Sequence, residues 1–122
     1  MANVLNWFEI PAADLNRAVK FYSEVLDGKF YITDFGGFKM AFFPMEGDGV
    51  GGALCEGEWY KPSMEGAIIY LNANPDLSIP LSKVEAAGGK VIMDKKLISD
   101  DIGYMALFID SEGNRVAFHS NK

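Results

Sequence analysis

The sequence predicts an α+β fold in which one unit, strand–helix–three strands, occurs twice within a single domain spanning 1–122. Three observations predict it. The same order of apolar patterns runs along both halves of the chain. Gly28-Lys29-Phe30-Tyr31-Ile32 falls opposite Gly89-Lys90-Val91-Ile92-Met93 at a shift of 61, half of the 122 residues, and this shift sets Trp7 on Ile68 and Glu9 on Tyr70. No long linker separates the halves: module 1 covers about 3–57, module 2 about 66–120, and Gly57 to Gly66 joins them, made irregular by Pro62-Ser63.

Leu5 to Ile10 reads as a strand that Pro11 ends. Asp14 is an N-cap, because its carboxylate can accept from free backbone N–H groups. Leu15, Ala18, Phe21, Tyr22, Val25 and Leu26 then recur at helical spacing, and Gly28 supplies the stop. Phe30 to Phe35 and Phe38 to Phe43, separated by Gly36-Gly37, form a hairpin pattern. Glu46 to Gly49 is a turn before a glycine-weakened strand at Val50 to Glu56. The second half opens with a strand at Ala67 to Asn72. Pro75-Asp76 leads into a helix carrying Leu77, Leu81, Val84 and Ala87, with Pro80 tolerated only in its first turn. Gly88-Gly89 stops it. Lys90 to Met93, Tyr104 to Ile109 and Arg115 to Ser120 are the remaining strands, the last preceded by the turn Asp110 to Gly113.

Composition narrows the function classes. Apolar residues make up 49% and charged residues 23%, a globular mix that excludes disorder, coiled coil and collagen-like fibre. No apolar run approaches the roughly 20 residues that span a membrane, and Met1 to Asn6 lack the basic start and long apolar run of a signal peptide. Cys55 is the lone cysteine, so no internal disulfide forms, and Cys55 with the single His119 is too little for structural zinc. The cytoplasm is the expected compartment. Seventeen acidic against eleven basic residues give a net charge of −6, with Lys95-Lys96 the only adjacent basic pair. Nucleic acid and anionic membranes require a basic stripe, so neither is an expected partner.

Trp7-Phe8-Glu9-Ile10-Pro11, Asp14-Leu15-Asn16-Arg17-Ala18 and Phe21-Tyr22 resemble the opening of vicinal-oxygen-chelate proteins, the glyoxalase, bleomycin-resistance and extradiol-dioxygenase superfamily. Gly88-Gly89-Lys90-Val91 resembles the middle of their second module. Asp110 with Gly113-Asn114-Arg115-Val116 resembles their closing turn and last strand. The resemblance implies two βαβββ modules whose eight strands form an incomplete barrel around a cavity, and a homodimer. It does not settle function, because members share the fold and differ in chemistry.

Metal-dependent members place His or Gln on a first strand and Glu on a last strand, and the metal acts as a Lewis acid on adjacent substrate oxygens. Here the matching positions are Trp7, Ile68 and Ala117, with the fourth near Cys55 or Glu56. Indole N–H donates but offers no ligand lone pair, and Ile and Ala offer nothing. No cofactor is expected. A divalent metal would need a non-standard site built from Glu9, His119 and Glu56.

Strand side chains alternate faces. With Trp7 on the cavity side, Leu5, Glu9, Ile68, Tyr70, Asn72, Arg115, Ala117 and His119 join it. Trp7 either fills the barrel or offers a platform for a guest. Glu9 and Arg115 are expected to pair, because an unmatched charge in a half-closed cavity is costly. His119 is either a solvent-exposed terminal residue or the proton shuttle, and Cys55 is a small core residue. The expected function is binding of a small organic molecule by Trp7, Glu9, Tyr70, Asn72, Arg115 and His119, without metal. The alternative is a metal-dependent lyase or isomerase like lactoylglutathione lyase, with Glu9 and His119 as the catalytic base and acid beside a carbonyl.

Overall fold

The computed structural model describes residues 3–122, and of Phe35 the backbone. Met1 and Ala2, included in the single-domain boundary, lie outside the described residues. In chain order the elements are β1 (Trp7–Pro11), α1 (Leu15–Leu26), β2 (Tyr31–Phe35), β3 (Phe38–Phe42), β4 (Gly51–Glu56), β5 (Tyr70–Asn72), α2 (Ser78–Leu81), β6 (Lys90–Ser99), β7 (Gly103–Ile109) and β8 (Arg115–Ser120). They form two four-stranded sheets, ordered β1-β4-β3-β2 and β5-β8-β7-β6. In each, the module's first strand lies parallel to its last and the other pairs are antiparallel. The sheets do not close on one another, which makes the incomplete barrel of the βαβββ duplication.

Helix α1 forms where the apolar spacing requires it. Asp14 caps it, accepting from the Arg17 N–H at 3.2 Å. Its buried stripe, Leu15, Ala18, Phe21, Tyr22 and Val25, packs against both sheets at once. Tyr22 meets Phe43 just beyond β3 with ring centroids 5.5 Å apart, and Phe21 meets Phe108 of β7 at 6.2 Å. One continuous apolar core therefore joins Ile10, Ala41 and Leu54 to Ala106, Phe108, Val116 and Phe118. Each sheet thus has a helix-facing side in the core and an open side turned away from α1.

The helix stops differ in detail from the sequence reading. The left-handed residue ending α1 is Asp27 (φ 53°), not Gly28. Gly28 is required for another reason: a Cβ there would lie 2.7 Å from Pro44 Cγ. The second module repeats the arrangement one residue before Gly89, where Gly88 has φ 109°.

Three elements depart from expectation. The second helix is one regular turn, Ser78–Leu81, rather than a helix running to Ala87. Pro80 lies in the first turn, where its missing N–H costs no helical bond; Leu81 and Ser82 still bond four residues back, and the bonds then slip to the third residue back, Lys83 to Pro80 and Val84 to Leu81. Leu77 and Val84 are fully buried all the same, so their apolar spacing serves packing. Strand β5 is shorter than expected, beginning at Tyr70. Strand β6 runs to Ser99 rather than Met93, with register shifts that break the alternation used to find strands.

Polar bonds tie the modules together. Buried Asp110 accepts from the Tyr22 hydroxyl at 2.7 Å and from the Glu112 and Asn114 backbone N–H groups at 2.9 Å. Burial first, and then the Asp110 charge, push the Tyr22 phenol well above its usual range, so it stays a donor. The Asn114 amide bridges to the Pro11 carbonyl at 2.7 Å. Arg17 clasps Glu112 with two bonds, at 2.7 and 3.0 Å.

Candidate functional site

Strand register fixes which side chains reach the open faces. On the first sheet, Trp7 and Glu9 of β1 lie beside Gly51 and Ala53 of β4, and Cys55 follows on the same face. Phe42 pairs with Ala53 and Met40 with Cys55, so β3 adds both to that face. Gly51 makes room for Met45 and the indole: a Cβ there would lie 2.6 Å from Met45 Sδ and 3.3 Å from Trp7 Cζ3. On the second sheet, Tyr70 pairs with Ala117 and Asn72 with His119, which puts Arg115, Ala117 and His119 together on its open face.

Around Glu9 the side chains converge. Its carboxylate accepts from the Tyr60 hydroxyl at 2.8 Å and from the Trp7 indole N–H at 3.3 Å. Tyr60 comes from the segment between the modules, whose Tyr60 N–H bonds the Gly57 carbonyl at 3.1 Å in a turn. Trp7 packs edge-on to Phe42 with centroids 5.9 Å apart. Phe38 of β3 packs against Trp59 at 5.6 Å and Tyr60 at 6.2 Å. The result is an aromatic rim, with Trp7 43% and Trp59 80% exposed, around a carboxylate.

Cys55 sits beneath this cluster. Burial first, then the neighbouring Glu9 charge, hold its thiol up at about 12, which keeps it protonated in the core. The hydrogen bond to Glu9 is the main reason the Tyr60 phenol is raised above its ordinary value. Glu56 points the other way. It lies on the helix-facing side, where it accepts from the Leu15 N–H at 2.7 Å. The open question of the fourth strand's register is thereby answered: Cys55 faces the open side and Glu56 is an auxiliary cap of α1.

The expected pairing of Glu9 with Arg115 is not made. Both line a cleft of about 230 Å³ at the junction of the sheets, together with Lys61. Among the described residues, however, Glu9 has no ion-pair partner within 4.0 Å. Arg115 turns to the Gly66 carbonyl at 2.8 Å, and its Nε is buried without a partner. In place of the ion pair, the Glu9 carboxylate accepts from the Tyr60 phenol.

On the second sheet, His119 Nε2 lies 2.6 Å from the Ile102 carbonyl. A carbonyl only accepts, so Nε2 carries the proton and Nδ1 is left for other partners. Tyr70, half exposed, directs its hydroxyl toward the Met105 sulfur at 4.0 Å. Asn72 accepts from the Asn74 backbone and side chain, both at 2.9 Å. Glu9 and His119 thus lie on open faces of different sheets, each bonded to other groups. Sequence reasoning missed Tyr60, Trp59 and Phe42. An adjacent Trp-Tyr in an otherwise polar connector was the available signal for the first two.

The positions that the resemblance aligns with metal ligands hold Trp7, Ile68 and Ala117, with Cys55 or Glu56 as the fourth. Indole, Ile and Ala side chains offer a metal no lone pair, so three of those four positions do not fit one. Among the described residues no three His, Cys, Asp or Glu side chains group at ligand spacing. Glu56, Glu9 and His119 are therefore not gathered into a non-standard site within the chain.

Two sheets in a doubled βαβββ order, with the Asp110–Asn114 turn bonded to the end of β1, define a glyoxalase-like fold. Residues 4–118 match the family described as Glyoxalase/Bleomycin resistance protein/Dioxygenase superfamily, and the chain belongs to it. A glyoxylase-like domain-containing protein of Didymella fabae is 31% identical over 113 residues, covering 90% of this chain and 88% of its own. Among solved structures, a glyoxylase/bleomycin resistance protein/dioxygenase domain from Frankia sp. EAN1pec superposes with a TM-score of 0.74 at 14% identity, over 100% of both chains. TnmS3, an antibiotic binding protein from Streptomyces sp. CB03234, gives 0.69 at 18% identity, covering 100% of this chain and 99% of that one. Glyoxalase I from Zea mays gives 0.70 at 21% identity over 96% of this chain, which spans only 46% of the maize enzyme's length. No helix among the described residues is long and apolar enough to cross a membrane.

Proposed function

We propose that the chain binds a small organic molecule on the open face of its first sheet, with no resident metal, and that two copies pair to cover that face. The aromatic rim around Glu9 carries this reading. Trp7, Phe42, Phe38, Trp59 and Tyr60 offer flat apolar surface, while one fixed carboxylate can orient a guest. The donor set argues the same way, because Trp7, Ile68 and Ala117 supply no ligand lone pair where the family's enzymes hold their ion. Tyr70, Asn72, Arg115 and His119 line the other open face, and a second copy would bring such a face to bear on the first. Open edges and half-exposed Trp7 and Tyr70 supply surface for that pairing. The lone buried Cys55 suits a reducing compartment such as the cytoplasm, and the acidic balance disfavours nucleic acid.

Titration with a panel of small aromatic compounds, followed by tryptophan fluorescence, tests the proposal. At least one compound is expected to bind, and Trp7→Ala is expected to weaken it about tenfold. Silence toward the whole panel would overturn the binding reading. Turnover of a methylglyoxal–thiol adduct on adding zinc, nickel or iron would replace it with the lyase alternative. A monomer by sedimentation at micromolar concentration would remove the paired cover.

A further inference from the structure

We infer that the guest is an organic cation: an ammonium, guanidinium or pyridinium group on an apolar body, seated on the aromatic rim with its charge against Glu9. The inference rests on the proposed binding face and adds the charge of its occupant.

Glu9 carries the argument. Its two oxygens receive one bond each from neutral donors, the Tyr60 hydroxyl at 2.8 Å and the Trp7 indole at 3.3 Å. Neither donor neutralises the charge. The two basic groups of the adjoining cleft do not pair with it either: Lys61 and Arg115 both stay beyond 4.0 Å, and Arg115 donates through one nitrogen to the Gly66 carbonyl while its Nε has no partner. In the open chain water can solvate the carboxylate. A guest lying across Trp7 and Phe42 would strip that water, and desolvating a carboxylate without a counter-charge is strongly unfavourable. A neutral or anionic guest would incur that cost in full. A cationic guest cancels it.

The surrounding rings select in the same direction. Aromatic faces are electron-rich, so a cation over Trp or Tyr gains cation–π attraction and an anion is repelled. Trp7, Tyr60, Phe38 and Trp59 supply several such faces close to one carboxylate. A small metal ion is a poor occupant, because it would have to shed tightly held water for a single carboxylate. A weakly hydrated organic cation has no such barrier. Tyr60 acts as a positioning residue: it fixes Glu9 and occupies one of its oxygens, so it competes with part of the guest's contact.

Benzyltrimethylammonium and its uncharged isostere neopentylbenzene separate charge from shape. Both are titrated into the intact protein by tryptophan quenching and calorimetry, at low and at high salt. The cation is expected to bind about tenfold tighter than the isostere at low salt, with the advantage shrinking as salt rises. Glu9→Gln, which keeps the side chain's shape, is expected to bring the ratio close to one. Tyr60→Phe, which frees a carboxylate oxygen, is expected to preserve or raise it. Equal binding of both probes, or a ratio that survives Glu9→Gln, would overturn the cationic guest while leaving the small-molecule face standing. Failure of both probes to bind would overturn the cationic guest, while the binding face itself falls only if the wider aromatic panel is silent as well.

Discussion

The first half of the chain carries an aromatic rim and a carboxylate on its open face, served by a capped helix running from Leu15 to Leu26. The second half has the same strand order, yet its open face holds Ala117, Tyr70, Asn72 and a His119 tied to Ile102, and its helix is one turn. Equivalent positions have diverged: Glu9 falls on Tyr70 and Trp7 on Ile68 at the shift of 61. The duplicated topology thus preserves backbone geometry and leaves side chains free to specialise. What must stay paired is the junction. Helix α1 is a wall of the core for both sheets, and the turn between β7 and β8 is bonded to it.

The largest effect is expected where that junction is cut. Asp110→Ala removes the acceptor for the Tyr22 hydroxyl and for the Glu112 and Asn114 N–H groups in a buried site. A loss of about 3–5 kcal/mol is expected in denaturant unfolding. Tyr22→Phe, which deletes only one donor, should cost about 1–2 kcal/mol. If both variants unfold at the wild-type midpoint, the modules hold together by apolar packing alone.

The paired glycines break the symmetry next. A Cβ at Gly89 would lie 2.5 Å from the Ile109 carbonyl oxygen, and one at Gly28 would lie 2.7 Å from Pro44 Cγ. Backbone in a strand cannot yield, whereas a proline ring in a loop can. Gly89→Ala is expected to cost about 3 kcal/mol and Gly28→Ala about 1 kcal/mol. Equal losses would mean that Pro44 is held as firmly as the strand.

Acid titration probes the inter-module clasp. Burial tends to raise the Glu112 carboxyl, but the Arg17 hydrogen bond and the Asp14 N–H outweigh it and hold the group below its ordinary 4.5. A carboxyl lowered by folding contributes stability that is complete above the unfolded value and fades as pH falls through the folded one. The protein should therefore lose stability as pH drops below about 4.5. Asp76 behaves likewise on the second module. The Ser78 N–H first, and Lys95 next, lower it from 3.8 to about 2, so its contribution fades over that lower window. Glu112→Gln should remove about 1 kcal/mol at neutral pH and flatten the upper part of the acid limb. An unaltered limb in thermal melts across pH 2–6 would show that Arg17 and Glu112 remain solvated.

Much of this architecture was legible because strands alternate. Once the resemblance set Trp7 on the cavity side, period two put Glu9, Tyr70, Asn72, Arg115, Ala117 and His119 with it, and helical spacing gave the whole of α1. Where periodicity failed, so did the reading. The bulges of β6 hid its second half, and α2 turns to bonds with the third residue back at Lys83 although its apolar spacing looked continuous. Tyr60 reaches Glu9 from an irregular connector, where no pattern announces direction. The Glu9–Arg115 pair was inferred from charge balance, and charge balance does not know that a phenol and a backbone carbonyl lie nearer. Face membership follows from local geometry, whereas partners are decided by loops.

The helix stops offer the smallest test and sharpen the comparison most directly. The shift of 61 sets Asp27 on Gly88, and both adopt positive φ, at 53° and 109°. Left-handed backbone costs a residue with a Cβ about 1–2 kcal/mol. Gly avoids this but adds about 0.5–1 kcal/mol of unfolded-state entropy. Asp27→Gly, which gives the first module the second module's stop, should therefore stabilise the chain by about 0.5 kcal/mol. A rise in the urea midpoint with unchanged slope is the expected result. A fall would mean that the Asp27 side chain supports its own turn, and that the two modules end their helices by different means.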